Sequence, residues 1–199
     1  MRLHISKGNM KLGRLPNISL PPIKTCGIKP PCAKVCYAMK AYRMYVGVRN
    51  PWNENLRLWK HAPERYESQL IVWLSTHNVK YFRWHVGGDI VDLAYLTMMD
   101  YVACMYPDIK FLCFTKRYDL LEALPDYAGN LTLVASRWPG LKCPEYVATW
   151  YPQAWMYDPK HVDVYIPKTA RVCPGSCDKC NCKRCWYLQA GHSVVFNLH

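Results

Sequence analysis

Eight of the eleven cysteines in this 199-residue chain fall into two groups whose spacing suits metal chemistry. The first is Cys26-x5-Cys32-x3-Cys36, in which Pro30 and Pro31 stiffen the turn. The second is denser and consists of Cys173, Cys177, Cys180, Cys182 and Cys185, with two Cys-x2-Cys pairs. Thiolates are soft ligands, and several of them in turn-rich sequence are what zinc and iron–sulfur centres use. Three cysteines on one loop can hold three irons of a 4Fe–4S cluster, leaving the fourth iron for a small molecule or another ligand. The five late cysteines exceed what one four-coordinate ion can take. A structural zinc ribbon, a second cluster, or a ligand lent to the first loop each fits them.

A further set of polar groups lies at the ends of three β-rich runs. Tyr81–Val86 contains His85, a candidate acid–base or metal ligand, and leads into Gly87-Gly88-Asp89. Glycines let a ligand approach the backbone closely, and Asp89 can accept hydrogen bonds from an amino group. Lys110–Phe114 leads into Lys116 and Arg117, and Leu131–Ala135 into Ser136 and Arg137. These cations suit a carboxylate or phosphate, and Ser136 adds a hydroxyl. His85 and Asp89 are the catalytic candidates. Gly87, Gly88, Asp89, Lys116, Arg117, Ser136 and Arg137 are the cofactor-binding ones. No P-loop, Gly-x-Ser-x-Gly elbow or His-Glu-x-x-His helix is present. Cys104, Cys113 and Cys143 lie in apolar stretches and read as buried thiols.

The elements that must position these groups alternate between strand and helix. A helix is expected over 52–61, and another from Pro63, with Tyr66, Leu70, Trp73 and Leu74 facing a core. Asp92 can cap a helix running to about Met105, and a short helical piece is expected over 119–123. Further extended segments are expected near 145–151 and 192–198. Strand–helix alternation of this kind predicts an α/β fold with a mainly parallel sheet. The specific expectation is a partial or distorted βα barrel, with an open doubly wound sheet as the alternative. Either architecture gathers functional groups at the carboxyl ends of its strands. The chain reads as a single domain, 1–199. It comprises a basic N-terminal region with the cysteine loop (1–50), a βα core (51–165) and a cysteine-rich C-terminal segment (166–199).

Charge is unevenly spread. Residues 1–65 carry 13 Lys/Arg against two acids, whereas 66–199 carry 13 against 12. Concentrated positive charge points to an anionic partner, nucleic acid first among them. Neither a membrane span nor a secretory leader is evident, which predicts a cytoplasmic protein. In a reducing compartment clustered thiols favour metal over disulfides, and an odd total excludes complete internal pairing.

Thr25-Cys26, Cys32-Ala-Lys-Val-Cys36-Tyr37-Ala38, Arg83-Trp84-His85, Gly88-Asp89, Cys173-Pro174 and Cys182-x2-Cys185-Trp186 together resemble a phage-associated cysteine-rich family, gene product 88. That resemblance implies a host-cytoplasmic location. The layout is also similar to the radical S-adenosylmethionine superfamily, which places three cluster cysteines after its first strand and a Gly-Gly-Glu-type turn after its second. Carried over, Cys26, Cys32 and Cys36 would bind the cluster. Gly87, Gly88 and Asp89 would hold the methionine amino group, and Ser136 or Arg137 would meet the ribose or carboxylate. The chain departs from that superfamily in its x5/x3 cysteine spacing and in having Asp in place of Glu. The resemblance implies an iron–sulfur enzyme acting on an anionic substrate. The alternative is a non-catalytic nucleic-acid-binding protein stabilised by zinc or a cluster.

Overall fold

The computed structural model describes residues 1–9, 12–27, 30–157, 166–177 and 182–197. Seven strands form one parallel sheet: β1 (Asn17–Ile18), β2 (Tyr81–Trp84), β3 (Lys110–Thr115), β4 (Leu131–Arg137), β5 (Gln153–Tyr157), β6 (Arg171–Val172) and β7 (Ser193–Asn197). Their order is β1-β2-β3-β4-β5-β7-β6. Among the described residues six α-helices accompany them: α1 (Tyr37–Met44), α2 (Val46–His61), α3 (Pro63–Thr76), α4 (Leu93–Met105), α5 (Tyr118–Ala123) and α6 (Glu145–Trp150). The expected α/β class and parallel sheet are therefore present.

The order of the first five strands has a direct consequence. Each crossover of a parallel pair is right-handed almost without exception, so strands that advance one place at a time send their helices to the same face. Side-chain alternation agrees with this partition. Phe82 and Trp84, Phe111 and Cys113, and Leu131, Leu133 and Ala135 all face one core. That core also takes Leu58 and Trp59 of α2, Tyr66 and Leu70 of α3, Leu96 and Met99 of α4, Leu121 of α5 and Val147 of α6. The intervening residues Leu112 and Val134 belong to a second cluster on the opposite face.

Among the described residues, no helix of the α1–α6 series contributes to that second cluster. It is closed by Leu12 and Leu15 from the N-terminal segment, and by Trp186 with Cys173, Cys177, Cys185 and Leu188 from the C-terminal one. Trp186 is 2% exposed. Its indole N–H donates to the Phe82 carbonyl of β2 (3.2 Å), and its carbonyl accepts from the Thr132 hydroxyl of β4 (2.8 Å). One residue thus spans the middle of the sheet.

Local signals explain most boundaries. Pro63 opens α3 at a position whose N–H would have no helical partner. The Asp92 carboxylate accepts from the Tyr95 amide at 2.8 Å and caps α4. Three expectations need correcting. Residues 145–150 form α6 rather than an extended segment. Their β-branched and aromatic composition favours strand, but burying Val147 and seating Tyr151 on the Leu121 carbonyl (2.8 Å) override that weak preference. Cys104 is exposed, because it lies on the outer side of α4 beside exposed Tyr101. Cys113 is buried and Cys143 half-buried. The expected helix at 52–61 starts six residues earlier and carries Pro51 inside it.

Truncating Trp186 to Ala should lower stability by about 3–5 kcal/mol, read as a reduced urea midpoint. An unchanged midpoint would mean that the helix-free face is sealed without it.

Candidate metal centre

The first cysteine group lies where the chain leaves β1. Beyond Ile18 the segment stays attached to the next strand's end: the Leu20 amide donates to the Gly87 carbonyl (2.9 Å), and the Gly87 amide to the Ser19 hydroxyl (3.2 Å). Pro21 and Pro22 are buried and turn the chain into a tight loop. Ile23 adopts φ +70°, a left-handed conformation that costs a β-branched residue strain. Two reciprocal contacts hold it there. The Cys26 amide donates to the Ile23 carbonyl, and the Ile23 amide donates to Cys26 Sγ, both at 3.3 Å. Cys32 and Cys36 flank a single 3₁₀ turn at Ala33–Val35, and α1 begins directly after it. The Tyr37 hydroxyl donates to the Val86 carbonyl at 2.5 Å, fastening the start of α1 to the end of β2.

All three thiols are free and half-buried. Burial pushes Cys26 up to about 12, with the Asp89 carboxylate and then the Cys32 and Cys36 thiolates adding to it. Cys32 is likewise raised by burial, against the Lys116 ammonium, which favours its thiolate. The three cysteines, Asp89 and Lys116 therefore share one electrostatic neighbourhood over the carboxyl ends of β2 and β3. A cation placed among these thiols would supply what burial withholds from their charged forms. Among the described residues no three His, Cys, Asp or Glu side chains form a group suited to a metal ion. The sulfurs around one tetrahedral zinc would sit about 3.8 Å apart, given Zn–S bonds near 2.3 Å. A cubane cluster places its irons and sulfides between the cysteines and holds them wider.

Gly87, Gly88 and Asp89 are committed to the protein itself. A Cβ on Gly88, whose φ is +80°, would come 2.6 Å from Thr25 Oγ1 and 2.7 Å from the Leu20 carbonyl. One on Gly87 would strike the Trp52 ring of α2. The Asp89 carboxylate is buried and accepts from the backbone amides of Ile90 (2.8 Å) and Lys116 (2.9 Å), while its own amide donates to Thr25 Oγ1 (3.0 Å). Burial raises its pKa against these hydrogen bonds. Asp89 braces the cysteine loop, the end of β2 and the end of β3 against one another.

The remaining candidates divide by orientation. Arg117 clasps Asp119 (2.7 Å) and donates to the carbonyls of Ile90 (2.8 Å) and Val91 (2.7 Å). The Lys116 ammonium stands over the Trp138 ring at 5.3 Å. Ser136 offers its carbonyl to the Tyr118 hydroxyl (2.5 Å). Arg137 lies over Trp155 at 4.7 Å and donates to Gln153 Oε1 (3.3 Å). His85 is buried toward the helix layer, its ring 3.3 Å from the Tyr95 hydroxyl and 3.5 Å from Cys113 Sγ. Burial, aided by the Arg83 cation, drops its pKa to about 3. Its φ of +53° turns the chain out of β2.

At the second group, burial raises Cys185 to about 12, and Cys173, Cys177 and Cys182 add to the rise. These four therefore lie within electrostatic reach of one another; Cys180 falls outside the described residues. Arg83 faces them from β2, a position that sequence reasoning missed. Its guanidinium rests on Phe114 (4.7 Å), its Nε is buried without a partner among the described residues, and its charge favours the Cys185 thiolate. Strand alternation in Tyr81-Phe-Arg-Trp could have placed it opposite Phe82 and Trp84.

The geometry sets two expected outcomes. Gly88→Ala should lose at least about 1 kcal/mol of stability through its left-handed φ, measured by chemical denaturation. For His85, the unfolded chain protonates below pH 6.5 and the folded one only near 3. Stability attributable to it is therefore complete above 6.5 and falls by up to about 1.4 kcal/mol per pH unit through that window. His85→Asn, which tolerates the left-handed backbone, should show a shallower loss on acidification. An identical pH dependence would contradict the buried neutral imidazole.

A family model described as gene product 88 matches residues 3–139. No curated protein and no solved structure matches the chain.

Proposed function

The chain belongs to the gene product 88 family, and from its cysteine loop we propose an iron–sulfur protein of radical S-adenosylmethionine-like type acting on an anionic substrate. The observation that carries this reading is the place of the loop. Three free thiols come after β1 and sit with Lys116 over the carboxyl ends of a parallel sheet whose first five strands run in chain order. That order is the one a partial βα barrel uses, and strand carboxyl ends are where such folds keep their chemistry.

Cys26, Cys32 and Cys36 would hold a 4Fe–4S cluster. The donor chemistry suits it: thiolates are the ligands such clusters use, and Cys26 Sγ already receives the Ile23 N–H, the kind of hydrogen bond that tunes such centres. When bound, a cluster with an open iron supplies an electron and a coordination site to a sulfonium cofactor. The chain's own residues orient and shield. Asp89 positions the backbone of Lys116, whose ammonium offers a carboxylate or phosphate contact, while Ser136 and Arg137 extend the polar edge along β4. The carboxylate of Asp89 and the space at Gly87 and Gly88 are occupied by protein contacts, so Lys116, Ser136 and Arg137 carry more of the cofactor-binding role in this reading. Cys173, Cys177, Cys180, Cys182 and Cys185 would hold a second centre, zinc or iron–sulfur, that fastens the C-terminal segment to the helix-free face. A non-catalytic nucleic-acid binder stabilised by such centres is the second reading, favoured by the excess charge of residues 1–65.

Protein purified without oxygen should contain about four iron and four sulfide per cluster and absorb broadly in the visible. Cys26→Ser, Cys32→Ser and Cys36→Ser should each abolish one cluster's worth, and calorimetry should detect S-adenosylmethionine binding only in the iron-loaded protein. Colourless protein holding zinc alone would overturn the radical reading and leave the binding module.

A further inference from the structure

The surface of α1 beside the cysteine loop has an unusual combination of exposed groups. The first 53 residues contain ten Lys/Arg and no Asp or Glu. Lys34, Lys40 and Arg43 line the surface here, and Arg49 is half-buried beside them. Among the described residues the ion pairs are His4–Glu54, Arg57–Glu54 and Arg117–Asp119, so no carboxylate among them neutralises these four cations. Lys40 and Arg43 are three apart on α1 and share a face. Arg49 reaches back to donate to the Arg43 carbonyl at 3.3 Å, which keeps its charge with theirs. A concavity of about 380 Å³ opens there, lined by Lys34, Cys36, Met39, Lys40, Arg43 and Met44.

Around this concavity the chain exposes large side chains. Tyr37 and Tyr45 are each more than half exposed, as are Met44 and Val46. Aromatic and apolar groups interleaved with unneutralised cations mark a surface built for a partner. Cations alone would suit any polyanion. Exposed tyrosine rings add a surface on which unpaired bases can stack, and a duplex keeps those base faces hidden. An anionic membrane is the less favoured occupant. It calls for a broad protruding apolar face, whereas α1 is only eight residues long and the opening beside it is concave and carries Lys34, Lys40 and Arg43 in its lining.

We infer that the α1 surface formed by Lys34, Lys40, Arg43 and Arg49, with Tyr37 and Tyr45 at its margin, binds single-stranded nucleic acid and leads it to the cysteine loop at Cys36. The inference names the substrate class of the centre proposed above and rests on that reading for any chemistry after binding; the binding itself does not need a cluster.

The test is fluorescence anisotropy of the full-length protein with labelled oligothymidine, oligouridine and a DNA duplex of equal length, across a salt series, with phosphatidylserine vesicles as a competitor. Single strands should bind more tightly than the duplex, and binding should weaken steeply with salt. The pair Lys40→Glu and Arg43→Glu should weaken single-strand binding at least tenfold and flatten the salt dependence by about two counterions. Tyr45→Ala should weaken it several-fold with the salt dependence retained. Lys34→Glu, alone on the 3₁₀ turn, repeats the charge test should the double variant melt early. The DNA and RNA arms identify the natural strand. Absent binding, binding indifferent to charge reversal, equal affinity for the duplex, or vesicles that capture the protein while oligonucleotide does not compete would each overturn the inference. Iron content measured on the same samples keeps the two proposals apart: iron-free protein that still binds removes the cluster, and iron-replete wild-type protein that does not bind removes the surface.

Discussion

A parallel sheet whose strands succeed one another in chain order receives helices on one face only, since right-handed crossovers all turn the same way. The opposite face also presents apolar side chains, Leu112 and Val134 among them, and must be covered by something else. Here that task falls to the cysteine-rich C-terminal segment, with Trp186 bonded to both β2 and β4. The segment is therefore part of the core. Cys173, Cys177 and Cys185 pack on the sheet in the same cluster as Leu112 and Val134. A centre assembled among them would stabilise the fold and its second hydrophobic layer together.

The carboxyl edge of the sheet shows a comparable economy. The cysteine loop leaves β1, crosses above β2 and is fastened there by backbone contacts between Leu20 and Gly87 and by the Thr25 side chain. Asp89 joins this corner to β3 through the Lys116 amide. A carboxylate surrounded by N–H donors is costly to bury but, once satisfied, fixes three segments at once. The strained φ values at Ile23 and His85 fall at this corner. Such strain persists only where neighbouring contacts over-determine the backbone, and it is common at sites of function.

Electrostatics separates the two sides of the cysteine loop. Toward the protein, Cys26 and Cys32 meet low dielectric and a buried carboxylate, both of which oppose thiolate formation. Toward solvent, the loop continues into α1 with an excess of unneutralised cations and exposed tyrosines. Between these lies Cys36, which lines the solvent-facing concavity and shares the neighbourhood of Cys26. The loop is thus an inner donor set with an outer basic approach.

Much of the layout was legible from residue order. The β-rich runs Tyr81–Val86, Lys110–Phe114 and Leu131–Ala135 marked strands. Asp92 and Pro63 marked helix starts, and the strand-end rule drew Asp89, Lys116 and Ser136 toward one edge. Cysteine spacing alone defined both thiol groups. What residue order left undecided depended on contacts distant in the chain. Gly88 is needed because Thr25 and Leu20 crowd it, His85 faces the helix layer because the backbone turns left-handed there, and 145–150 coil because Val147 has a core to enter. Periodicity and spacing are local quantities and survive in the linear chain. Whether a polar group serves a ligand or its own backbone is set by which segments the fold brings within bonding distance, and only the tertiary structure decided that.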